Sequence, residues 1–282
     1  MDVPFHKMHG TLNDFVVFHD PHGRVRLSPE DVAGICHRRA GVGADGVIVV
    51  RPSPVADFFM DYVNADGSLA EMCGNGIRCL AKYVYDTGLT GKTTLPVETR
   101  AGLKTVELFA GADGAVERVR VNMGQPIFDP ALIPVTIHSD GRPILDYPVD
   151  ALGRTFHATI LSMGNPHCVI LVDGDIEDLP RKYGSTIESH ELFPKKTNVE
   201  FIRIVDRNRI VMRVWERGSG ETFACGTGAC ASAVAARLAG RVDEDCVVEL
   251  LGGDLDIKWK DMIYPVVMTG TAVKVYEGIL TI

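Results

Sequence analysis

CGNGIRCLAKYV at residues 73–84 and CGTGACASAVAARL at residues 225–238 share one design, in which a cysteine and two glycines precede an apolar stripe. The stripe residues recur at the spacing of one helix face; they are Ile77, Leu80, Ala81 and Val84 in the first stretch and Cys230, Ala233, Val234 and Leu238 in the second. This periodicity predicts two helices, which end near Gly88 and Gly240 because glycine is common just past a helix C-terminus. Each cysteine therefore stands where a helix begins.

The segments that precede the two cysteines are also alike. A Gly-Ser pair and a glutamate come shortly before each one: Gly67, Ser68 and Glu71 before Cys73, and Gly218, Ser219 and Glu221 before Cys225. The cysteines are 225 − 73 = 152 residues apart, close to half of the 282-residue chain. We therefore predict two copies of one strand–turn–helix design, and hence two domains related by approximate twofold symmetry.

The rest of the chain is typical of strands, with few further helices. SPEDVAGICHRR at residues 28–39 predicts a helix that Ser28 caps, with Pro29 at its first position. Bursts of β-branched and alternating apolar residues predict hairpins over residues 199–215 and on either side of Gly252-Gly253. The predicted fold class is α/β (α+β).

Composition limits the classes of function. A length of 282 residues corresponds to about two domains, and 46% hydrophobic with 23% charged residues is an ordinary globular mixture. The net charge of −8 lacks the broad positive field that nucleic-acid or membrane-surface binding needs. Residues 1–10 lack the apolar core of a signal peptide. We expect a cytoplasmic protein that binds neither nucleic acid nor membrane.

The seven cysteines are an odd number, without a CxxC pair or the Cys/His spacing of a zinc site. We therefore expect neither a disulfide framework nor a metal centre. Most cysteines in proteins are small buried hydrophobes. We interpret five of them in that way, namely Cys36, Cys79, Cys168, Cys230 and Cys246. The matched pair, Cys73 and Cys225, remains for chemistry, since packing alone gives no reason for twin glycine-flanked helix starts.

A cysteine at a helix N-terminus meets unpaired backbone N–H groups and the positive end of the helix dipole, which favour the thiolate and move its pKa toward neutrality. Two such cysteines, one per domain, suit the inversion of a carbon that bears a weakly acidic proton. One thiolate removes the proton from one face while the opposing thiol delivers another. Helix N-termini can hold the neighbouring carboxylate, so that no cofactor is required, and we find no nucleotide-binding fingerprint.

Five segments, in order, resemble the diaminopimelate epimerase family over nearly the whole length. They are MHGTLNDF at 8–15, NADGSLAEMCGNGIRCLAKY at 64–83, GNPH at 164–167, TNVEF at 197–201 and ERGSGETFACGTGACASA at 216–233. The resemblance implies a cofactor-independent isomerase that interconverts LL- and meso-diaminopimelate for lysine and peptidoglycan synthesis. It implies that Cys73 and Cys225 are the two bases, and that His167 and Glu216 support catalysis. The substrate-binding residues that it implies are Asn13, Asn64, Gly74, Asn75, Asn165, Asn198, Glu216, Arg217, Gly226 and Thr227.

The resemblance also implies that each domain is a mostly antiparallel sheet or barrel wrapped around a central helix. We expect residues 1–123 with about 270–282 to form the domain of Cys73, and residues 124–269 to form that of Cys225. The active site would lie in the cleft between them, and the family suggests a homodimer. Two positions depart from the family pattern: Leu12 replaces a common glycine, and Gly46 stands where some members have glutamine near the substrate.

Three other functions stay open at this point. A proline racemase or hydroxyproline epimerase would share the fold and the cysteine pair, although ERGSG and Asn75 favour diaminopimelate. A thiol redox protein would use Cys73 and Cys225 as a switchable disulfide, against which the absence of CxxC argues. An anion-binding protein would keep the helix starts but tolerate loss of the thiols.

Overall fold

A computed structural model describes residues 1–139 and 142–282, in which strands greatly outnumber helices. The strands are β1 (Asp2–Gly10), β2 (Asn13–His19), β3 (Gly46–Arg51), β4 (Phe58–Asn64), β5 (Thr94–Thr99), β6 (Gly102–Ala110), β7 (Val116–Gly124), β8 (Ile144–Ala151), β9 (Arg154–Ser162), β10 (Pro166–Leu171), β11 (Asn198–Asp206), β12 (Arg209–Glu216), β13 (Gly220–Glu221), β14 (Asp245–Leu250), β15 (Gly253–Lys258), β16 (Val266–Thr271) and β17 (Val273–Thr281). The hairpins predicted over residues 199–215 and around Gly252-Gly253 are confirmed as β11–β12 and β14–β15.

The helices of the described residues are α1 (Pro29–Cys36), α2 (Gly74–Asp86), a π-helical turn (Pro180–Gly184) that continues into α3 (Ser185–Glu188), and α4 (Gly226–Leu238). Of these, α1, α2 and α4 begin where the sequence predicts, whereas the sequence does not predict the helical segment over 180–188. Ser28 caps α1 through a capping box with Asp31. The helix ends at Cys36, before the end of the predicted segment, because His37 has extended backbone angles. Cys73 and Cys225 are the N-cap residues of α2 and α4.

The chain divides into two compact units, which we call the first unit (Met1–Asn122 with Thr269–Ile282) and the second unit (Met123–Met268). In the first unit the strand order is β17-β1-β2-β3-β4-β5-β6-β7, and only the β2–β3 and β4–β5 pairs are parallel. Helix α2 contacts β1, β2 and β6, and its residues from Gly74 to Val84 are all buried. A helix buried on every side is the centre of its unit.

The second unit repeats this arrangement around α4. Its strand order is β8-β9-β10-β11-β12-β14-β15, with β10–β11 and β12–β14 parallel and the other pairs antiparallel. Strand β13 adds to the end of β12. Helix α4 contacts β10, β11 and β15, and its buried residues extend from Gly226 to Ala236, with Thr227 half-buried. The predicted α+β class, with mostly antiparallel sheets around central helices, is confirmed.

The repeated strand order decides where polar residues meet. In each unit, two adjacent parallel strands begin at the edge where a third strand ends, since the third is antiparallel to its neighbour. The first unit uses β2, β3 and β4 for this purpose, and the second uses β10, β11 and β12. The chain then turns directly into the central helix. Residues far apart in sequence are therefore brought to the N-terminus of α2 or of α4.

Candidate active site

Cys73 is half-buried, and its Sγ lies within reach of both a backbone donor and a side chain. The N–H of Gly76 points to Sγ at 3.4 Å, which is the capping contact of α2. Asn13 Oδ1 lies 3.5 Å from the same sulfur. A backbone N–H that donates to sulfur favours the thiolate over the thiol. The predicted position of Cys73 at a helix start is confirmed by its geometry.

Asn13, at the start of β2, is held from two sides. Its Nδ2 donates to Asp45 Oδ2 at 2.8 Å, and its Oδ1 accepts from Asn75 Nδ2 at 3.2 Å. The fully buried Arg78 in turn donates to Asn75 Oδ1 at 2.9 Å. Two residues of the predicted substrate-binding set, Asn13 and Asn75, thus share one hydrogen-bond network with Cys73.

A charged cluster fixes the strand on which Asn13 stands. Asp14 accepts hydrogen bonds from Arg38, at 2.9 and 3.0 Å, and from the buried Lys7. Burial alone would raise the pKa of Asp14, but these cationic donors outweigh it and lower that pKa to about 2. Asp14 therefore stays ionised at neutral pH, and its carboxylate keeps the start of β2 in place.

Asn64 ends β4, and its side chain serves the turn before Cys73. Its Nδ2 donates to Ser68 Oγ at 3.0 Å, across a turn in which Gly67 has a φ of +82°. Gly46 pairs with Asn64 across the sheet, and a Cβ at this glycine would lie 2.5 Å from the ring of Tyr62. Tyr62 thus fills the space that a longer side chain at position 46 would need.

The turn before Asn13 is conformationally strained. Thr11 and Leu12 form the two-residue β1–β2 turn with φ values of +50° and +62°, the type I′ geometry that favours glycine and asparagine. Leu12 is the position at which the family pattern has a common glycine. Its side chain is 49% exposed, so it gains little from burial.

Replacing Leu12 by glycine should stabilise the protein. Relief of the left-handed strain stabilises the folded state by about 1–2 kcal/mol. The greater chain entropy of glycine in the unfolded state cancels roughly half of this gain. We therefore expect the free energy of unfolding to rise by about 0.5–1 kcal/mol. Urea denaturation measures this change. Leu103→Gly is the matched control, because Leu103 is an exposed leucine in the ordinary strand β6, where glycine should destabilise. Equal losses of stability in both variants would contradict the argument.

Cys225 has a different environment from Cys73. It is 4% exposed, and its Sγ lies 3.5 Å from Thr227 Oγ1, with no side-chain capping bond to the backbone of α4. Burial, and then the nearby carboxyl groups of Glu216 and Glu200, raise the pKa of Cys225 well above its ordinary value. The prediction that the helix start moves this pKa toward neutrality is therefore wrong for Cys225, because desolvation and two acidic neighbours outweigh the helix dipole.

Glu216 is the last residue of β12 and lies next to Cys225. Its Oε1 accepts from the Thr222 hydroxyl at 2.6 Å. Burial raises the pKa of Glu216, and the neighbouring Glu200 adds to that effect. A carboxyl group with a raised pKa next to a thiol is suited to proton exchange.

His167 is fully buried between two polar partners. Its Nδ1 lies 2.7 Å from Glu200 Oε1, and its Nε2 lies 3.0 Å from Asn165 Oδ1. Both of these partners belong to the second unit, and Asn165 directly precedes β10. The structure thus brings His167 and Asn165, both implied by the family resemblance, into direct contact.

Asn198 and Arg217 are joined through the backbone. Asn198 Oδ1 accepts from the Arg217 N–H at 2.9 Å, and its Nδ2 donates to the carbonyl of Pro166 at 2.9 Å. Asn198 is 3% exposed. The two hydrogen bonds of its amide connect the start of β11 with the start of β10 and the end of β12. The Arg217 side chain is exposed and reaches the Lys195 carbonyl at 3.3 Å. The structure therefore places an exposed cation beside the end of β12.

The second glycine of each cysteine motif is required by its neighbours. A Cβ at Gly76 would lie 2.8 Å from Met60 Cε and 2.9 Å from Ile48 Cδ1. A Cβ at Gly228 would lie 2.6 Å from Glu200 Oε1 and 3.3 Å from Cys225 Sγ. Gly74, Gly226 and Thr227 fill the intervening first-turn positions of the two helices.

The five cysteines interpreted as packing residues are all buried. Burial raises the pKa of Cys36 to about 11 and that of Cys79 and Cys246 to about 12, and it raises the pKa of Cys168 as well. These thiols stay protonated and inert at neutral pH. Within residues 1–139 and 142–282, no cluster of three or more His, Cys, Asp or Glu side chains is placed to hold a metal ion. No helix of those same ranges is long and apolar enough to cross a membrane.

Residues of this arrangement that were not singled out from the sequence include Asp45, Arg78, Glu200 and Thr222. Glu200 carried a usable signal, because it is a charged residue inside the apolar run of β11 and a fully buried charge needs a partner. Arg78 carried a similar one on the buried helix α2. Asp45 and Thr222 lie outside the strands and helices, so no apolar run surrounds them to mark them in the sequence.

Solved structures of other proteins share the fold of this chain. A hydroxyproline epimerase from Agrobacterium vitis superposes with a TM-score of 0.71 at 13% identity, covering 99% of this chain and 92% of the other. A PhzF-family protein from Bacillus anthracis superposes with a TM-score of 0.66 at 19% identity, covering all of both chains. These likenesses show that the chain has the fold of these two proteins.

Sequence relatives show the family to which the chain belongs. The family model described as diaminopimelate epimerase matches residues 5–128 and 159–275. Diaminopimelate epimerases from Leptospira biflexa and Moorella thermoacetica are 45% and 49% identical, covering 99% and 97% of this chain and 99% and 98% of their own. One from Methanococcus maripaludis is 44% identical, over 98% of this chain and 99% of its own. The chain belongs to the diaminopimelate epimerase family.

Proposed function

We propose that this protein is a diaminopimelate epimerase, which interconverts LL- and meso-diaminopimelate in the synthesis of lysine and peptidoglycan precursors. One observation carries the proposal: each unit caps a buried helix with a cysteine surrounded by polar side chains, in a chain 45–49% identical to diaminopimelate epimerases over nearly its full length. The reaction inverts one α-carbon by proton transfer alone, so it needs no cofactor.

Cys73 and Cys225 are the two bases of this proposal. The Cys73 sulfur, with its N–H donor from Gly76, serves as the thiolate that removes the α-proton of the LL substrate. Cys225, whose raised pKa keeps it a thiol, gives its proton to the opposite face of the carbanion. The Cα–H bond breaks as a new one forms, Cys73 ends as a thiol and Cys225 as a thiolate. The reverse reaction uses the same groups with their roles exchanged.

The carbanion requires stabilisation that the helix starts can supply. Its negative charge spreads onto the α-carboxylate, and backbone N–H groups at the first turns of α2 and α4 suit that carboxylate. The polar residues at the strand edges bind the rest of the substrate. In this proposal they are Asn13, Asn64, Gly74, Asn75, Asn165, Asn198, Glu216, Arg217, Gly226 and Thr227. Arg217 grips the distal carboxylate, for which its planar guanidinium is suited.

Two further groups support the proton transfers. Glu216, next to Cys225, accepts or returns a proton as this thiol changes its charge, and His167 supports catalysis near the reacting carbon. Both roles agree with their burial and with their contacts inside the second unit.

The proposal extends to the organisation of the enzyme. The domain of Cys73 comprises residues 1–123 with about 270–282, and the domain of Cys225 comprises residues 124–269. We take the active form to be a cytoplasmic homodimer.

A substrate comparison tests the function. The purified protein, without added cofactor, is incubated separately with LL-diaminopimelate, L-proline and trans-4-hydroxy-L-proline, and the stereoisomers are separated by chiral chromatography. We expect turnover of diaminopimelate at least about 10²-fold faster than of either cyclic amino acid, since a site built for a second charged end loses that binding with proline. Faster turnover of proline or hydroxyproline would assign the protein to that sister activity instead.

A further inference from the structure

Glu200 is a buried carboxylate that the proposed reaction does not yet use. It lies in β11 with no exposed surface. Within the part of the chain that the structure describes, its only hydrogen-bond partner is His167, and its Oε2 has none. Burial of a carboxylate with so little compensation is strongly unfavourable for folding. Stability therefore gives no reason for a glutamate at this position.

The sheet register places Glu200 and His167 on one face. Strands β10 and β11 are parallel, with His167 opposite Asn198 and Val169 opposite Glu200. Because alternate residues of a strand point to the same side, Glu200 is the diagonal neighbour of His167. The same carboxylate reaches the first turn of α4, where a Cβ at Gly228 would lie 2.6 Å from Oε1.

The second nitrogen of the His167 ring faces the proposed substrate-binding residues. An ionised Glu200 can only accept a hydrogen bond, so the 2.7 Å contact between His167 Nδ1 and Glu200 Oε1 requires a proton on Nδ1. Nε2 lies 3.0 Å from Asn165 Oδ1, which is also a hydrogen-bond acceptor. A carboxylate that holds one imidazole nitrogen fixes the orientation of the ring.

We infer that Glu200 is a positioning residue for the epimerisation, which acts by holding the His167 ring with Nδ1 protonated and Nε2 turned to Asn165. The inference rests on the proposed function in one respect, since that function assigns His167 to the support of catalysis. Glu200 itself does not contact the substrate in this account.

The first experiment observes His167 directly in the wild-type protein. Side-chain ¹⁵N NMR of histidine-labelled protein, with His167→Asn used to assign the signal, reports which ring nitrogen is protonated. We expect Nδ1 to be protonated in the wild type, and Glu200→Gln to shift the ring resonances because the amide replaces an ionic acceptor. A wild-type His167 that is protonated on Nε2 alone would overturn the inference, even if no variant of Glu200 folds.

The second experiment is a double-mutant cycle on kcat. Glu200→Gln should lower kcat by on the order of 10²-fold in the wild-type background, within the range of positioned acid–base groups. In the His167→Asn background the same change should lower kcat by less than about twofold, because the residue through which Glu200 acts is gone. Equal losses in both backgrounds would overturn the inference.

Two comparisons separate a positioning role from general destabilisation. Glu200→Asp keeps the charge and should recover part of the kcat lost in Glu200→Gln. Glu249→Gln is the surface control, since Glu249 is half-buried on β14 and pairs with Arg209, and it should leave kcat and the His167 spectrum unchanged. If the wild-type protein fails to turn over diaminopimelate, the proposed function falls, whereas the ¹⁵N spectrum still decides the role of Glu200 toward His167.

Discussion

Cys73→Ala and Cys225→Ala should each lower kcat for diaminopimelate epimerisation by roughly 10³- to 10⁴-fold, while the fold survives. In the proposed mechanism, each substitution removes one of two bases that act on opposite faces of one carbon, and a positioned acid or base contributes about 10²- to 10⁴-fold. The expected loss lies at the upper end because the remaining cysteine can return a proton only to the face from which it came. Steady-state kinetics measures the loss of kcat, and circular dichroism shows whether the fold is retained.

A cysteine interpreted as a packing residue gives the matched control. Cys246, in β14, is 4% exposed, so Cys246→Ala removes a sulfur of similar burial to that of Cys225. We expect kcat within about twofold of the wild type and a modest loss of stability, about 1 kcal/mol. Near-normal turnover by either Cys73→Ala or Cys225→Ala would show that the reaction does not need two thiols.

Gly228→Ala should be the most damaging substitution that removes no proposed functional group. The added methyl would lie 2.6 Å from Glu200 Oε1 and 3.3 Å from Cys225 Sγ, so one of these groups must move. A displacement of about 1 Å in a reacting group can cost 10²-fold in rate, and we expect kcat to fall by about that factor. The free energy of unfolding should also fall by about 1–3 kcal/mol, because an extra methyl group overpacks this part of the core.

Gly34→Ala separates this effect from the ordinary consequence of replacing a helical glycine. Gly34 lies in α1, and a Cβ there meets nothing within 4 Å. Alanine is the better helix former, so this variant should be as stable as the wild type or up to about 1 kcal/mol more stable, with unchanged kcat. If Gly228→Ala behaves like Gly34→Ala, the close approach of Glu200 to α4 does not matter for catalysis.

The sequence predicts well those features that depend on neighbouring residues. The helix starts at Cys73 and Cys225 follow from an N-terminal turn and an apolar stripe, both of which are local. The hairpins follow from alternation and turn residues for the same reason. Asn64 and Glu216, the last residues of β4 and β12, lie close enough to the cysteines in sequence to share their motifs.

Local sequence patterns do not predict the features that depend on sheet register. The contact between His167 and Glu200 joins two strands across a parallel ladder, and the contact between Asn13 and Asp45 does the same between β2 and the start of β3. Parallel neighbours are separated by long connections, so their pairing leaves no fixed spacing in the sequence.

The twin motifs place both cysteines at the same kind of helix start, but the structure gives the two cysteines different surroundings. Cys73 is half-buried and capped by a backbone N–H, whereas Cys225 is buried beside two carboxyl groups that raise its pKa. The motif determines the helix start, but burial and neighbouring charges determine the protonation state. The two copies of the design thus differ in the property on which the proposed roles of Cys73 as base and Cys225 as acid depend.

Hydrogen exchange with solvent during a single conversion tests the two-base account most directly. The protein is incubated with LL-diaminopimelate in D₂O, and the reaction is stopped at low conversion for mass and NMR analysis of both pools. The account predicts one deuterium at the inverted α-carbon of each meso product, delivered by a thiol that has exchanged with solvent, and an unlabelled LL pool. Meso product that retains protium at this carbon, or early labelling of the LL pool to the same extent as the product, would contradict it.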